Sequence, residues 1–322
     1  MNKIGLIRQN QLFQWTISGL IILLSLLFLY PPEILLVKQL SGYTIHWMFF
    51  CLLLGLLFLI LGLDRLLYVC FICCGVLSLF LLKSYNSNLN LAHFNSLHAV
   101  SVLFVNPSLS NDTHDEIISL IEKSHADLVI IEEFTPEWLN LVQALNKNYP
   151  YQVEQLRIDP YGKCILSRFP LENKKIIDAK GIPVLIAEMI TEGKDRFLIG
   201  ALNLIPAITM HDYQKLLAFI DVLSNSLTKL NPHQIIAANF NINPWSSELS
   251  TFKIKNNLES SRRDNNDGHD EGQLRNIFNV PKNEIYFNKK MECSMLRILH
   301  DGHGLAIGIM GRYQLKSSET NN

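Results

Sequence analysis

Hydrophobic and polar positions follow two different regimes along this chain. Up to Lys83 the apolar runs are long and nearly free of charge; from Ala99 onward they are short and regularly interrupted. Leu12–Tyr30, Trp47–Leu63 and Leu66–Leu82 each have about the length needed to cross a hydrocarbon core at roughly 1.5 Å per residue. Asp64-Arg65 leaves almost no loop between the second and third runs, which therefore read as a tight transmembrane hairpin. Gln14 lies close enough to one end of the first run for its amide to reach the headgroups. Trp15, Tyr30, Tyr43, Trp47 and Tyr68 stand near proposed ends, where interfacial aromatics belong. Pro31-Pro32-Glu33 follows the first run in place of a small-x-small cleavage site, so that run reads as an uncleaved span. With Lys3, Arg8 and Arg65 on the inner side, three crossings place everything after Lys83 on the outer side, although Lys38 and Lys83 oppose the bias.

The second regime reads as a folded domain. Ala99–Val105 is a strand ending at Asn106-Pro107. A helix follows through Ile117, Ile118 and Ile121, with Asp112 or Thr113 as its cap. Asp127–Phe134 is a buried strand that ends in Glu132 and Glu133, and Thr135-Pro136 opens the next helix. Tyr151–Leu156, Lys163–Ser167, Val184–Ile190 and Arg196–Leu202 are consecutive strands, the last closed by Asn203. His211–Leu230 is an amphipathic helix. Ile235–Ala238 is a buried strand running into Asn239-Phe240-Asn241, and Glu284–Asn288 and Leu305–Met310 are the final strands. This order does not suit one doubly wound sheet. It predicts an α/β fold, a two-sheet sandwich with helices on the outer faces, preceded by an all-α transmembrane region. The expected division is 1–83 for three helices (about 12–30, 47–63 and 66–82), 84–97 for a linker rich in Asn and Ser, 98–315 for the domain and 316–322 for a tail.

Composition narrows the chemistry. The formal net charge is −1, so no bulk field favours nucleic acid. Arg262-Arg263 and Lys289-Lys290 are isolated basic pairs, and on this ground nucleic acid is disfavoured as a partner. Cys51, Cys70, Cys73 and Cys74 lie within the apolar runs, leaving Cys164 and Cys293 for the domain; a thiolate metal site is excluded. Leu258–Glu271 is a polar loop whose carboxylates lack the spacing of a calcium loop. Polar amides at the end of a rigid buried strand, as in Asn239 and Asn241, are well placed to hold a ligand.

Val105-Asn106, DLVIIEEFTPEW at 127–138, YGKCILSRFPL at 161–171, Leu202–Pro206, ANFNINPW at 238–245 and His303 occur in an order that resembles the endonuclease/exonuclease/phosphatase superfamily. The likeness is greatest to its bacterial branch with three N-terminal membrane helices and an exported domain. It implies a divalent ion, Mg²⁺ or Mn²⁺, held by Asn106 and Glu133, with Glu132 as a further candidate beside Glu133. It places the family's base-like Asp at Asn239, its phosphate-orienting Asn at Asn241 and its phosphate-contacting His at Asn203. The Asp of an Ile-Asp-His segment falls at Asn283, and the closing Ser-Asp-His becomes Asp301-Gly302-His303. The family's Thr-Trp pair is not evident between Leu258 and Val280.

The expected scaffold is therefore present with several charged roles replaced. An amide cannot accept a proton near neutral pH, and Gly302 leaves His303 without the adjacent carboxylate that would fix its tautomer. Asp301 substitutes for that carboxylate only if the turn shifts by one residue. The expectation is a protein of the bacterial inner membrane with an extracytoplasmic domain, in contact with the lipid bilayer and impaired in catalysis. It would act by binding a protein partner or phosphorylated ligand, with any Mg²⁺ or Mn²⁺ weakly held. The competing reading is a metal-dependent phosphodiesterase or phosphatase carried by Glu133, His303, Asn241 and Asn203.

Overall fold

A computed structural model describes residues 10–84, 98–109, 114–262 and 283–316. Most of the expected linker, the proposed Asp112 or Thr113 cap and most of the acidic loop lie outside these residues, as does the stretch searched for the Thr-Trp pair from 263 on.

The first unit is helical: α1 (Gln11–Leu29), α2 (Leu35–Leu40) with a 3-10 turn at Ser41–Tyr43, α3 (Thr44–Ile60) and α4 (Asp64–Ser84). Three helical stretches, Gln11–Leu29, Leu35–Ile60 and Asp64–Leu82, are long and apolar enough to cross a membrane. Their mutual contacts use small and polar groups, as helix packing in lipid requires. Trp47 Nε1 donates to Ser25 Oγ at 3.0 Å, Trp47 stacks on Phe28, and Gly55 admits Cys70. The Arg65 guanidinium lies 4.7 Å from the Trp15 ring centroid, so the start of α1 and the start of α4 share one side. The second stretch, whose longer helix α3 starts at Thr44, stops at Ile60, ahead of the expected Leu63. Gly62 adopts φ +65° and Leu63 N donates back to Phe58 O, a left-handed C-terminal cap that ends the helix there.

The second unit contains two mixed six-stranded sheets. In chain order the strands are β1 (Val100–Val105), β2 (Leu128–Glu132), β3 (Tyr151–Gln155), β4 (Lys163–Ser167), β5 (Leu171–Ala179) and β6 (Ile182–Ile190). They continue with β7 (Arg196–Asn203), β8 (Gln234–Asn239), β9 (Leu258–Ser260), β10 (Asn283–Asn288), β11 (Met291–His300) and β12 (Ala306–Leu315). One sheet has the order β11-β12-β1-β2-β4-β3, the other β5-β6-β7-β8-β10-β9. The expected α/β sandwich is the observed fold.

Helices α5 (His114–Ser124) and α6 (Pro136–Ala144) cover the outer face of the first sheet, where Ile117, Ile121 and Trp138 meet Leu103, Val129 and Leu166. Helices α7 (Met210–Leu227) and α8 (Ser247–Lys255) cover the second, with Phe219, Leu223 and Phe252 against Leu198, Ile236 and Tyr286. A third apolar layer fills the space between the sheets, drawing Phe104, Ile130, Ile165, Ala201, Ala237 and Ile285 together.

Four elements escape the hydrophobic pattern. β5 is an edge strand whose Glu172–Ile176 face solvent, so it lacks alternation. β11 is another edge strand, half-exposed and interrupted by register shifts. β9 has three residues and exists through pairing with β10, which converts the start of the expected loop into sheet. α8 is short, with only Leu249 and Phe252 buried, but it begins with a true cap: Ser246 Oγ accepts from Leu249 N.

Candidate functional site

Strand parity determines which polar residues meet. Along β1 the inward positions Val102 and Phe104 lead to Asn106; along β2, Leu128 and Ile130 lead to Glu132; along β4, Ile165 leads back to Lys163. In the facing sheet, Ala201 leads to Asn203, Ala237 to Asn239 and Ile285 to Asn283. Register aligns these ends: Glu132 pairs with Lys163, Asn203 with Asn239, and Asn239 with Asn283. The apolar layer between the sheets is thus closed at one end by six buried polar side chains, three from each sheet.

The two sheets are joined across this layer. Asn203 Nδ2 donates to Pro160 O at 3.1 Å. Lys163 Nζ donates to Tyr161 O at 2.9 Å and to Pro183 O, on the other sheet, at 3.1 Å. Asn106 Nδ2 donates to Glu132 Oε2 and to Glu133 Oε1, each at 3.1 Å. Burial pushes the Glu132 carboxyl well above the usual range. The Lys163 charge opposes that shift, Glu133 adds to it, and the Asn106 and Asn239 amides oppose it. Lys163 is pulled down to about 8 by burial, again opposed by the charge of its partner. Three buried acceptors in the layer, Glu132 Oε1, Asn203 Oδ1 and Asn283 Oδ1, have no hydrogen bond of good geometry. Orphaned buried acceptors are uncommon enough in folded proteins to mark a place where a donor is expected.

Glu133 has φ +51°, a left-handed conformation that costs a non-glycine residue about 1–3 kcal/mol and is concentrated at functional sites. Its neighbour Phe134 exchanges a contact with Gly162: Phe134 N donates to Gly162 O, and a Cβ at Gly162 would lie 2.2 Å from Phe134 O. Only glycine permits that approach, which locks the β2 end to the turn preceding Lys163. Asn241 is also left-handed, at φ +50°; its N–H donates to Asn239 Oδ1 and its Nδ2 to Leu204 O. The amide assigned to phosphate orientation is thus bonded to the loop after β7.

His303 lies exposed in the β11–β12 turn. Asp301 is buried there, and its Oδ1 accepts from His303 N and Leu305 N. That carboxylate thereby organises the backbone of the turn. Asn106 N donates to Ile307 O, which sets the hairpin beside the β1 end.

Of the predicted site residues, Asn106, Asn203 and Asn239 lie in the layer. Glu133 and Asn241 adjoin it, and His303 stands on a neighbouring turn. Sequence reasoning names Glu132, the more deeply buried of the two carboxylates, only as a companion to Glu133, and it misses Lys163. The available signal is a lysine at an inward position of a short apolar strand, KCILS. The donor chemistry fits a divalent ion only in part. Two carboxylates are present, but Asn106 turns its NH₂ toward both, the Lys163 charge acts on one, and the opposite sheet offers neutral amides. No group of three or more His, Cys, Asp or Glu poised for a metal occurs among the described residues.

Residues 84–288, more than half of the chain, match the sequence model of the Endonuclease/Exonuclease/phosphatase family. The chain belongs to that family. A search of curated proteins found no match. Among solved structures, the human Nocturnin catalytic domain with bound sulfate anion is 14% identical, with a TM-score of 0.54, over 68% of this chain and 94% of that one. D. rerio TDP2 complexed with single strand DNA product is 13% identical, with a TM-score of 0.53, over 68% and 100%. The endonuclease/exonuclease/phosphatase from Beutenbergia cavernae DSM 12333 gives 13% and 0.53, over 68% and 72%. At these identities the likeness is one of fold. It nonetheless overturns the exclusion of nucleic acid, because D. rerio TDP2 holds a DNA product on this same fold. Net charge averages over the whole chain, whereas a cleft meets a nucleic acid through a few local groups.

Proposed function

We propose that this family member is a membrane-tethered domain that binds a phosphorylated ligand or a protein partner and is impaired in hydrolysis. The observation that supports this most is the register row Asn203, Asn239 and Asn283, three neutral amides facing Glu132 from three adjacent strand ends. Hydrolysis of a phosphoester requires a group that can take a proton from water and preorganised charge at the leaving oxygen. Amides supply neither. They hydrogen-bond, which is what recognition requires.

A second reading, a divalent-metal-dependent phosphoester hydrolase with an altered site, draws on Glu133. Its strained backbone is the kind of feature a fold maintains where a side chain must be aimed. One experiment separates the two. Full chain in detergent is titrated with Mn²⁺ and Mg²⁺ by calorimetry and assayed against a generic phosphodiester and a phosphomonoester. The binding reading expects no turnover above background. Turnover that Glu133→Gln abolishes would establish the hydrolase.

The same proposal puts the domain on the extracytoplasmic face of a bacterial inner membrane, supported by Arg65 and the start of α1 sharing one side. A protease-sensitive tag after Asn322 should be cut from outside intact cells; complete protection would reverse the orientation.

A further inference from the structure

The described part of the second unit exposes ten large apolar side chains, and they are not spread evenly. Six of them, Leu109, Leu156, Ile158, Ile205, Ile208 and Leu305, lie on four connections at the end of the sandwich closed by the polar layer. Leu109 ends the short turn that follows Asn106. Leu156 and Ile158 lie between β3 and Lys163, Ile205 and Ile208 between Asn203 and α7, and Leu305 in the turn tied to Asn106 through Ile307. Ile158 is 92% exposed and Ile208 77%. By contrast, Tyr151 at the start of β3 and Ile254 near the end of α8 are the exposed apolar residues of the opposite end. Apolar side chains gathered on one rim, rather than scattered, mark a contact surface.

We propose that this rim is a lipid-contacting surface that rests on the bilayer, so that the polar layer opens toward the membrane interface. Three features point to lipid. All six side chains are Leu or Ile, without the Trp, Tyr and Arg that dominate protein–protein hot spots. The chain itself carries three helices long enough to span a bilayer. Only the 15 residues between Ser84 and Val100 separate the last of them from the first strand, a reach of at most roughly 50 Å, so the bilayer is present at high effective concentration. Among the described residues of these four connections the one arginine, Arg157, is paired with Asp159 at 2.5 Å and offers no strong electrostatic draw. Contact of this kind is apolar insertion into the interface, indifferent to anionic lipid and to salt. It rests on the loops alone and stands whether the cleft binds or hydrolyses.

The test uses full chain reconstituted in vesicles of brominated phosphatidylcholine. Ile158→Trp and Ile208→Trp each add one fluorophore to the rim; Ile254→Trp adds one at the far end as a control. All three positions are exposed, so folding is not at stake. After subtraction of wild-type emission, the rim tryptophans should be blue-shifted and quenched at least twofold relative to vesicles of unbrominated lipid, equally at low and high salt. The control tryptophan should be unaffected. Rim tryptophans quenched no more than the control would overturn the proposal. So would a blue shift without bromine quenching, which would show that a protein or a second copy of the chain covers the rim, and quenching lost in high salt, which would show charge attraction.

Discussion

Replacing Lys163 with Met is expected to cost the fold about 1–3 kcal/mol for each buried carbonyl it leaves without a donor. Lys163 is fully buried and donates to two backbone carbonyls, one in the turn before β4 and one on the other sheet, while its charge is the main influence opposing the rise of the Glu132 carboxyl. Its loss leaves Glu132 uncompensated and both carbonyls short of a donor. Chemical denaturation of the full chain in detergent would measure the cost. Adding Glu132→Gln to the Lys163→Met variant should recover only the electrostatic part of the loss, because both carbonyls still lack a donor. A Lys163→Met variant within about 1 kcal/mol of wild type, the size of an ordinary surface change, would show that the layer is solvated and the pair unimportant.

The same pair gives a pH signature. Lys163 sits at about 8 in the folded protein against its ordinary 10.5. A lowered ammonium means that the unfolded chain binds more protons across that window, so stability rises as pH increases from about 8 to 10.5. Glu132 is raised, so its contribution runs the other way, with stability falling as pH climbs from the usual carboxylate range through its folded value. Wild type should therefore gain on the Lys163→Met variant in the alkaline window, as parallel melts would show.

The second large effect is expected from charge added to the facing sheet. Asn239→Asp and Asn283→Asp place two carboxylates in the register row opposite Glu132 and Glu133, where one ammonium cannot balance them. Without metal the variant should melt lower than wild type. With Mn²⁺ it should recover, because a divalent ion relieves the like-charge repulsion, and Mn²⁺ affinity should rise at least about tenfold by calorimetry. Adding Asn203→His and Gly302→Asp then supplies an imidazole beside the row and a carboxylate next to His303. Hydrolysis of a generic phosphodiester should increase about 10²-fold or more. If metal binds but hydrolysis does not appear, the pocket has been reshaped beyond its lost charges, as the Asn241 amide on Leu204 O already suggests for one position.

Much of the architecture was legible in the order of residues. DLVIIEEF and QIIAAN are apolar runs bounded by polar residues, and each became a central strand with the expected polar end. The apolar N-terminal runs became helices because nothing in them favours any other backbone, and Gly62 moved one boundary by a residue-level turn. The amides at 203, 239 and 283 were visible as residue types, and the structure places them side by side at three strand ends.

What sequence could not supply was adjacency. β5, β9 and β11 exist through their partners, and their own residues carry no strong alternation. The Glu132–Lys163 pair depends on an antiparallel register between strands more than thirty positions apart. The commitment of Asp301 to its own turn, and of Asn241 to Leu204, depends on loop geometry that no spacing encodes. The sequence by itself determined which segments are apolar on which faces, since burial follows local periodicity. The tertiary structure decided which polar ends meet, because pairing across sheets is a long-range choice made by the packing of the layer beneath them.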